Sequence, residues 1–475
     1  MQAVQKTQPR ILGKLIGLLL ARLGLPLASF LVIVLIARMW AKPLLGEYST
    51  IYTWFTIFHY FSLFGIGEFI SKEIGAHPAS ASKYLAHGLL FGVLSSVVCG
   101  VIMVGGAILF NYNDNVEYGI FVLALALPAS VASIICISVF TAFQAIRLIA
   151  FTSVLQSSLF LLLGSTVIIK GYGLIALVWC LVVAWVVASV ANIFIAHRCI
   201  ARVRVEIDWD FLRGLLGPII AFGLTGLAGQ IFMRIDIIML SKIMDMNAVA
   251  LYTPASKMLE MSLMLPLTFY VLILPIAAGV LKDFRKEIPE PLESYARLLF
   301  IFVFLEFGLV FFFAESILSF IYGNAYVEAA GVLRILMLSL LFLSSEMILV
   351  MCCQAGGFHK VAMHFSVGRT IGKVLLNFVL IPIWGPLGAA LATFISIAIS
   401  FAVLKHYVKR YLGSFRWIHM VREPAFVCGF VMFTLFLLAD YLNTLYLGLL
   451  FLAGYTLLLF GVKRFQVERL RRIWR

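Results

Sequence analysis

Charge is what this sequence has least of. Of its 475 residues 12% are Asp, Glu, Lys or Arg and 63% are hydrophobic, and the mean hydropathy is +1.07. A soluble domain carries about 25% charged residues, so no large water-soluble body can be placed here. Cysteine is sparse as well. The 7 thiols (Cys99, Cys136, Cys180, Cys199, Cys352, Cys353 and Cys428) lie mostly within apolar runs, with no CxxC and no spacing of the disulfide or zinc kind. They read as small packing residues. There is no Gly-rich phosphate loop, no HExxH and no carboxylate pair in a soluble segment, so no cofactor or metal is implied. Acidic residues are the rarer charge, 22 against 36 Lys and Arg, giving a formal net charge of +14. Nucleic-acid binding needs such cations clustered on a folded, water-exposed face with stacking aromatics. Here they lie mostly in short loops, which excludes that partner.

What is present is a succession of apolar runs, each long enough for the roughly 20 residues of a spanning helix. They begin near Leu15, Glu47, Leu85, Tyr118, Leu148, Leu174, Leu215, Ala248, Tyr295, Val332, Val361, Leu387, Ala425 and Leu445, about fourteen spans in an all-α polytopic membrane protein. Lys6, Arg10 and Lys14 precede the first run, Leu15 to Ala37, which is too long for a signal-peptide core and has no cleavage site. It is read as the first spanning helix. Alternate loops collect the basic residues: Lys72 and Lys83; Arg147; Arg198, Arg202, Arg204 and Arg213; Lys282, Arg285 and Lys286; Lys360; and Lys405, Lys409, Arg410, Arg416 and Arg422. Basic loop residues set orientation, so both termini are expected in the cytoplasm.

Internal repetition sets the expected architecture. LIARMWAKPLLGEYS from Leu35 aligns without a gap to MLSKIMDMNAVALYT from Met239, bringing Arg38 over Lys242 and Tyr48 over Tyr252. KGYGLIALVWCL from Lys170 echoes WGPLGAALATFI from Trp384. Two blocks of six helices in the same orientation are parallel repeats about an axis along the membrane normal, with a central cavity between the halves. The expected domains are a six-helix lobe over 1–205, a second over 206–415, and an appended hairpin of two spans with a basic tail over 416–475. Lateral packing, a lipid-facing groove and a dimer contact all suit that hairpin.

Ionisable residues at membrane depth are expensive unless they face protein or water, so each is a candidate functional position. The cations are Arg22, Arg234, Lys257, Arg369 and Lys373; the carboxylates beside them are Glu68, Asp236, Glu260 and Glu346. Arg369 and Lys373 share a helix face at i and i+4, and Lys373 falls near the midplane, where snorkelling is hard. Lys257 and Glu260, at i and i+3, suit either a salt bridge or ligand contact. Arg234 and Asp236 are about 200° apart on an ideal helix, so one lines a cavity while the other ties neighbouring helices. Arg22 suits snorkelling or cavity lining equally. Glu306 and His59 read as structural, whereas Glu68 and Glu346 are open to a structural role or to carrying a coupling proton. Arginine and lysine facing a low-dielectric cavity suit an anionic group such as a lipid-linked pyrophosphate.

Three segments, RIDIIMLSKIMDMNAVALYTPASKMLE from Arg234, FIYGNAYVEAAGVLRIL from Phe320 and LLNFVLIPIWGPLGAALAT from Leu375, resemble in order and placement the MOP superfamily of flippases. The likeness is to the Wzx-type polysaccharide or O-antigen flippases, with lipid II flippases and MATE exporters as more distant relatives. The resemblance implies a bacterial inner-membrane flippase that moves an undecaprenyl-diphosphate-linked oligosaccharide (O-antigen, capsule or exopolysaccharide unit) to the outer leaflet by alternating access. It implies a cationic lumen, which Arg22, Arg234, Lys257, Arg369 and Lys373 could supply. Its partners would be membrane lipids and the polysaccharide polymerase and chain-length machinery. Two alternatives stand beside it. A membrane enzyme of glycan assembly would need a sizeable external loop, and none is present. An antiporter of the same superfamily shares the scaffold, but MATE exporters commonly rely on a first-helix carboxylate where this chain has Arg22.

Overall fold

A computed structural model describes residues 8–200, 209–280, 290–438 and 444–462. It is helical throughout, with no strand among the described residues. In lipid every backbone N–H and C=O must find its partner within the chain, and a helix does so inside one segment. The helices are α1 (Gln8–Met39), α2 (Lys42–Leu63), α3 (Ile66–Ala76), α4 (Ala81–Leu109), α5 (Asp114–Ala124), α6 (Leu127–Ala142), α7 (Ile146–Lys170), α8 (Leu174–Cys199) and α9 (Trp209–Ile243). There follow α10 (Met246–Ser262), α11 (Met264–Val280), α12 (Glu290–Phe312), α13 (Ala314–Tyr322), α14 (Ala330–Ala355), α15 (His359–Trp384), α16 (Pro386–Tyr411), α17 (Trp417–Leu438) and α18 (Thr444–Val462).

Nine helical stretches among the described residues are long and apolar enough to cross a membrane, and α5 with α6, bent by 42° at their junction, makes a tenth. Four further rods, α1, α2, α9 and α18, have 32, 22, 35 and 19 residues. Together they give fourteen rods of membrane length among the described residues, in agreement with the hydropathy of the sequence. The protein is a multi-pass membrane protein. Its large apolar side chains face outward in bands, as on α4, where Val97, Val98, Val101 and Ile102 are 53% to 70% exposed. On a soluble protein such a surface would be an aggregation hazard; in a bilayer it is the lipid contact.

The chain forms two compact units, 1–253 and 254–475, divided within α10 ahead of Pro254. In the first, α1 packs on α7, α7 on α8, α6 on α4 and α8, and α2 on α4, α5 and α9. In the second, α14 packs on α11, α12 and α16, α15 lies along α16, and the hairpin of α17 and α18 is applied to α12. That last contact is specific: the Tyr455 hydroxyl donates to the Ile301 carbonyl at 2.7 Å, and a Cβ on Gly308 would lie 2.6 Å from both Cys428 Sγ and Phe451. The hairpin therefore packs laterally on α12. Its outer face, with Phe426 and Phe436 each 70% exposed, looks to lipid.

Small residues let these helices approach closely, which is how packing is gained where lipid offers no hydrophobic advantage. Gly88, Gly92, Ser96 and Gly100 recur every fourth residue along α4 and are buried. A Cβ on Gly92 would lie 2.5 Å from Ile135 and 2.7 Å from Val131 of α6.

At the first aligned junction the helix ends coincide. Met39 ends α1 where Ile243 ends α9, and Lys42 opens α2 where Met246 opens α10, just as the alignment of Leu35 with Met239 pairs them. Lys170 and Trp384 likewise end their helices, each followed by a glycine of positive φ, Gly171 at 72° and Gly385 at 54°. At the second junction α16 turns back so tightly that a Cβ on Gly388 would meet the Leu380 carbonyl oxygen at 2.1 Å. Backbone cannot yield as a side chain does. The substitution Gly388→Ala is therefore expected to cost about 1–3 kcal/mol, seen as a lower apparent melting temperature and reduced monodisperse yield of the full chain. Unchanged melting would mean that this hairpin is looser than its geometry.

Candidate functional site: charges held at membrane depth

In the first unit the site starts from a broken helix. Phe64 (φ 38°) and Gly65 (φ 81°) both take the left-handed conformation, which stops α2 and restarts the chain as α3. Gly223 of α9 fits against the break, because a Cβ there would lie 2.5 Å from the Phe64 carbonyl oxygen. The break and the small residues of α9 leave a cavity of about 540 Å³ lined by His59, Tyr60, Glu68, Lys72, Ser138 and Gly223 among others. Glu68 enters it from the first turn of α3, where a carboxylate also complements the helix dipole.

His59 is fixed rather than free. Its Nδ1 lies 2.8 Å from Ser130 Oγ, and that hydroxyl already donates to the Leu127 carbonyl at 2.8 Å. Nδ1 must then be the protonated nitrogen. The ring is further held against Phe55 and Trp185, with centroids at 5.7 and 5.6 Å.

Arg234, on α9, places its guanidinium 5.9 Å from the Tyr52 ring centroid. Asp236 points elsewhere: 1% exposed, it accepts a short hydrogen bond from the Tyr252 hydroxyl and ties α9 to α10. At the end of α9, Lys242 Nζ sits 3.6 Å from the Tyr112 ring centroid and donates to the Phe110 carbonyl. Tyr112 in turn accepts from Trp54 Nε1 at 3.3 Å and lies 2.9 Å from Ser241 Oγ. Lys242 is thus a cation caged by aromatics.

In the second unit, Lys257 Nζ donates to Glu260 Oε2 at 2.7 Å across one turn of α10. The more elaborate arrangement is on α15. Arg369 donates to Glu346 Oε2 at 2.7 Å, and Ser400 donates to Oε1 of the same carboxylate at 2.8 Å, so Glu346 joins α14, α15 and α16. One turn on, Lys373 is 1% exposed, and one turn further Asn377 is fully buried. The opposite face carries Ile371, Leu375, Phe378 and Val379, each 56% to 62% exposed. A polar stripe inward with an apolar face to lipid is the arrangement expected of intramembrane charge.

The structure thus places Glu68 in the cavity and Arg234 against Tyr52, pairs Lys257 with Glu260, and pairs Arg369 with Glu346. The side chain of Arg22 lies outside the described residues. Sequence reasoning did not single out Ser400, Tyr252 or the aromatic cage of Lys242, whose partners are remote in the chain. Asn377 was missed as well, and its spacing, four residues past Lys373, is the signal that could have found it. Among the described residues no three His, Cys, Asp or Glu side chains converge to hold a metal ion.

A family model described as polysaccharide biosynthesis protein matches residues 11–278. No curated protein matches this chain in sequence. Among solved structures it is similar to the lipid II flippase MurJ in an inward closed conformation, with TM-score 0.78 and 15% identity over 94% of this chain and 99% of that one. It is also similar to an inward-facing multidrug resistance MATE family transporter of the MOP superfamily (TM-score 0.66, 15% identity, 82% and 98% covered). A MOP superfamily transporter from Pyrococcus furiosus, whose binding pocket is described as having reversed polarity, gives TM-score 0.56 and 15% identity over 83% and 94%. The fold is that of the MOP superfamily.

Removing one partner of a buried ion pair costs more than removing a neutral hydrogen bond. Glu346→Ala takes the carboxylate from beside a guanidinium only 12% exposed and is expected to destabilise by about 3–5 kcal/mol. Ser400→Ala is expected to cost about 0.6 kcal/mol, the usual scale for a hydrogen bond between membrane helices. Melting of the two variants side by side checks this, and equal losses would remove the ion pair from its structural role.

Proposed function

We propose that this chain, which belongs to the polysaccharide biosynthesis protein family, is a flippase that carries an undecaprenyl-diphosphate-linked oligosaccharide from the inner to the outer leaflet by alternating access. Its place is the bacterial inner membrane, with both termini cytoplasmic, and its transport lobes are the six-helix blocks 1–205 and 206–415. The observation that carries the reading is the retention of cations at membrane depth, chiefly Arg234 against Tyr52, and Arg369 with fully buried Lys373 on α15. Such side chains are costly unless they serve a polar path, and the group they suit is an anion able to accept several charge-assisted hydrogen bonds. Family membership supplies the saccharide.

The charges divide the work. Asp236, bonded to Tyr252, and Glu346, bonded to Arg369 and Ser400, hold helices in register. Arg234 and Lys373 are the cations proposed to meet the diphosphate. The cell interior is negative, so outward movement of an anion is downhill by about 2.3 kcal/mol per charge per 100 mV if it crosses the full field. Voltage alone can drive the step.

Depletion in the native host, followed by mass spectrometry of lipid-linked glycans and a leaflet-accessibility assay, tests the function. Complete polyprenyl-diphosphate oligosaccharide accumulating in the inner leaflet is expected; truncated glycans, or complete ones stranded outside, would point to an enzyme, and an unchanged pool with new drug sensitivity to an exporter. In the same assay Arg234→Gln and Lys373→Gln are expected to lower translocation about tenfold or more at normal membrane levels, each removing a charged contact worth about 1.5–3 kcal/mol. If Glu68 or Glu346 carries a coupling proton, translocation will follow the pH gradient with voltage clamped; insensitivity leaves both carboxylates structural.

A further inference from the structure

A second cavity, of about 450 Å³, lies in the second unit against α12, α14, α16 and the start of α17, within the range of roughly 300–1,000 Å³ typical of ligand sites. Its walls are aromatic: Phe300, Phe304, Phe342, Phe401 and Trp417. The rings interlock edge to face, Phe401 with Trp417 at 5.2 Å and 89°, and Phe342 with Phe401 at 5.9 Å and 77°. Ser345 also lines it, but its hydroxyl is spent on its own helix, donating to the Leu341 carbonyl at 2.8 Å. The interior is therefore apolar.

Its mouth is not. Lys405 and Arg422 both line the cavity and both are exposed. Lys405 Nζ lies 5.8 Å from the Phe401 centroid and 6.0 Å from that of Trp417. The neighbouring carboxylates are already engaged: Glu423 by Arg297, and Glu293 by Arg416, both from the Arg416 side chain at 3.0 Å and from its backbone N–H at 3.0 Å. Among the described residues Arg422 forms no ion pair, and Lys405 has only its ring contacts. Lys409, Arg410 and Arg416 stand at the same helix ends, so this is the basic, interfacial end of the bundle, where tryptophan is favoured at headgroup level.

An aromatic slot at hydrocarbon depth beneath two uncommitted cations matches one kind of molecule, an anionic headgroup over an apolar chain. A soluble anion would leave the slot unfilled, and a zwitterionic lipid would set its own cation against Lys405 and Arg422. We infer that the slot takes one acyl chain of an anionic diacyl phospholipid, with its phosphate between Lys405 and Arg422, as basic pockets between transmembrane helices do for acidic lipids. The slot is lined by neither Arg234 nor Lys373 and does not depend on the transport reading.

The test uses the full chain, purified in mild detergent and examined by native mass spectrometry with phosphatidylglycerol, phosphatidylcholine of the same acyl chains, and undecaprenyl phosphate. The expected result is one phosphatidylglycerol retained per chain, at least tenfold tighter than phosphatidylcholine. The pair Lys405→Gln with Arg422→Gln, both on exposed positions, should lose that preference, and Val421→Trp, which fills the slot, should lower retention of phosphatidylglycerol by a similar factor. Equal retention of the two phospholipids, or full retention by both variants, would overturn the inference. Displacement of phosphatidylglycerol by equimolar undecaprenyl phosphate would overturn it too, assigning the slot to a polyprenyl chain.

Discussion

Lipid offers no hydrogen bond. That one constraint orders the rest of the molecule, because every polar group between the two interfaces has to be answered by another part of the chain. The backbone is answered by helices. The side chains are answered by one another: Glu346 by Arg369 and Ser400, Asp236 by Tyr252, Lys257 by Glu260. An arrangement of that kind is discrete. Where the partners lie on different helices, as for Glu346 and Asp236, a slide of one turn would strand a charge, so those pairs fix register.

Packing itself is arranged by what is missing. Where α4 meets α6, and where α16 meets α15, glycine removes the Cβ that would otherwise hold the backbones apart. The same device forms the cavity of the first unit, where Gly223 accepts the Phe64 carbonyl at the break between α2 and α3. A broken helix frees backbone groups, and such a break is tolerated at membrane depth where it is buried in protein or lines a polar space. Glu68 and Lys72, just past the break, make that space polar.

The charged residues held inside the bundle connect structure to function. Lys373 lies on the buried face of α15, one turn from the ion-paired Arg369, and Arg234 lies against Tyr52. The aromatic slot at Trp417 answers a different need, since its cations lie at the interface and its depth is apolar.

The sequence by itself determined the class, the spans and the repeat. Hydropathy alone marks fourteen rods, because a helix in lipid must be apolar over a fixed length. The junctions at Met39 and Ile243 were legible because each half ends its helix with the same pattern. The face of α15 was legible from the spacing of Arg369 and Lys373, since periodicity along one helix is a local property. Tertiary structure decided the partners. Ser400 is 54 residues from Glu346, and the Lys242 cage closes over a separation of 132 residues to Phe110; no local pattern encodes which helices become neighbours. It also decided that the α2 rod breaks at Phe64, a non-glycine residue in a left-handed conformation that only the fit of α9 against it explains.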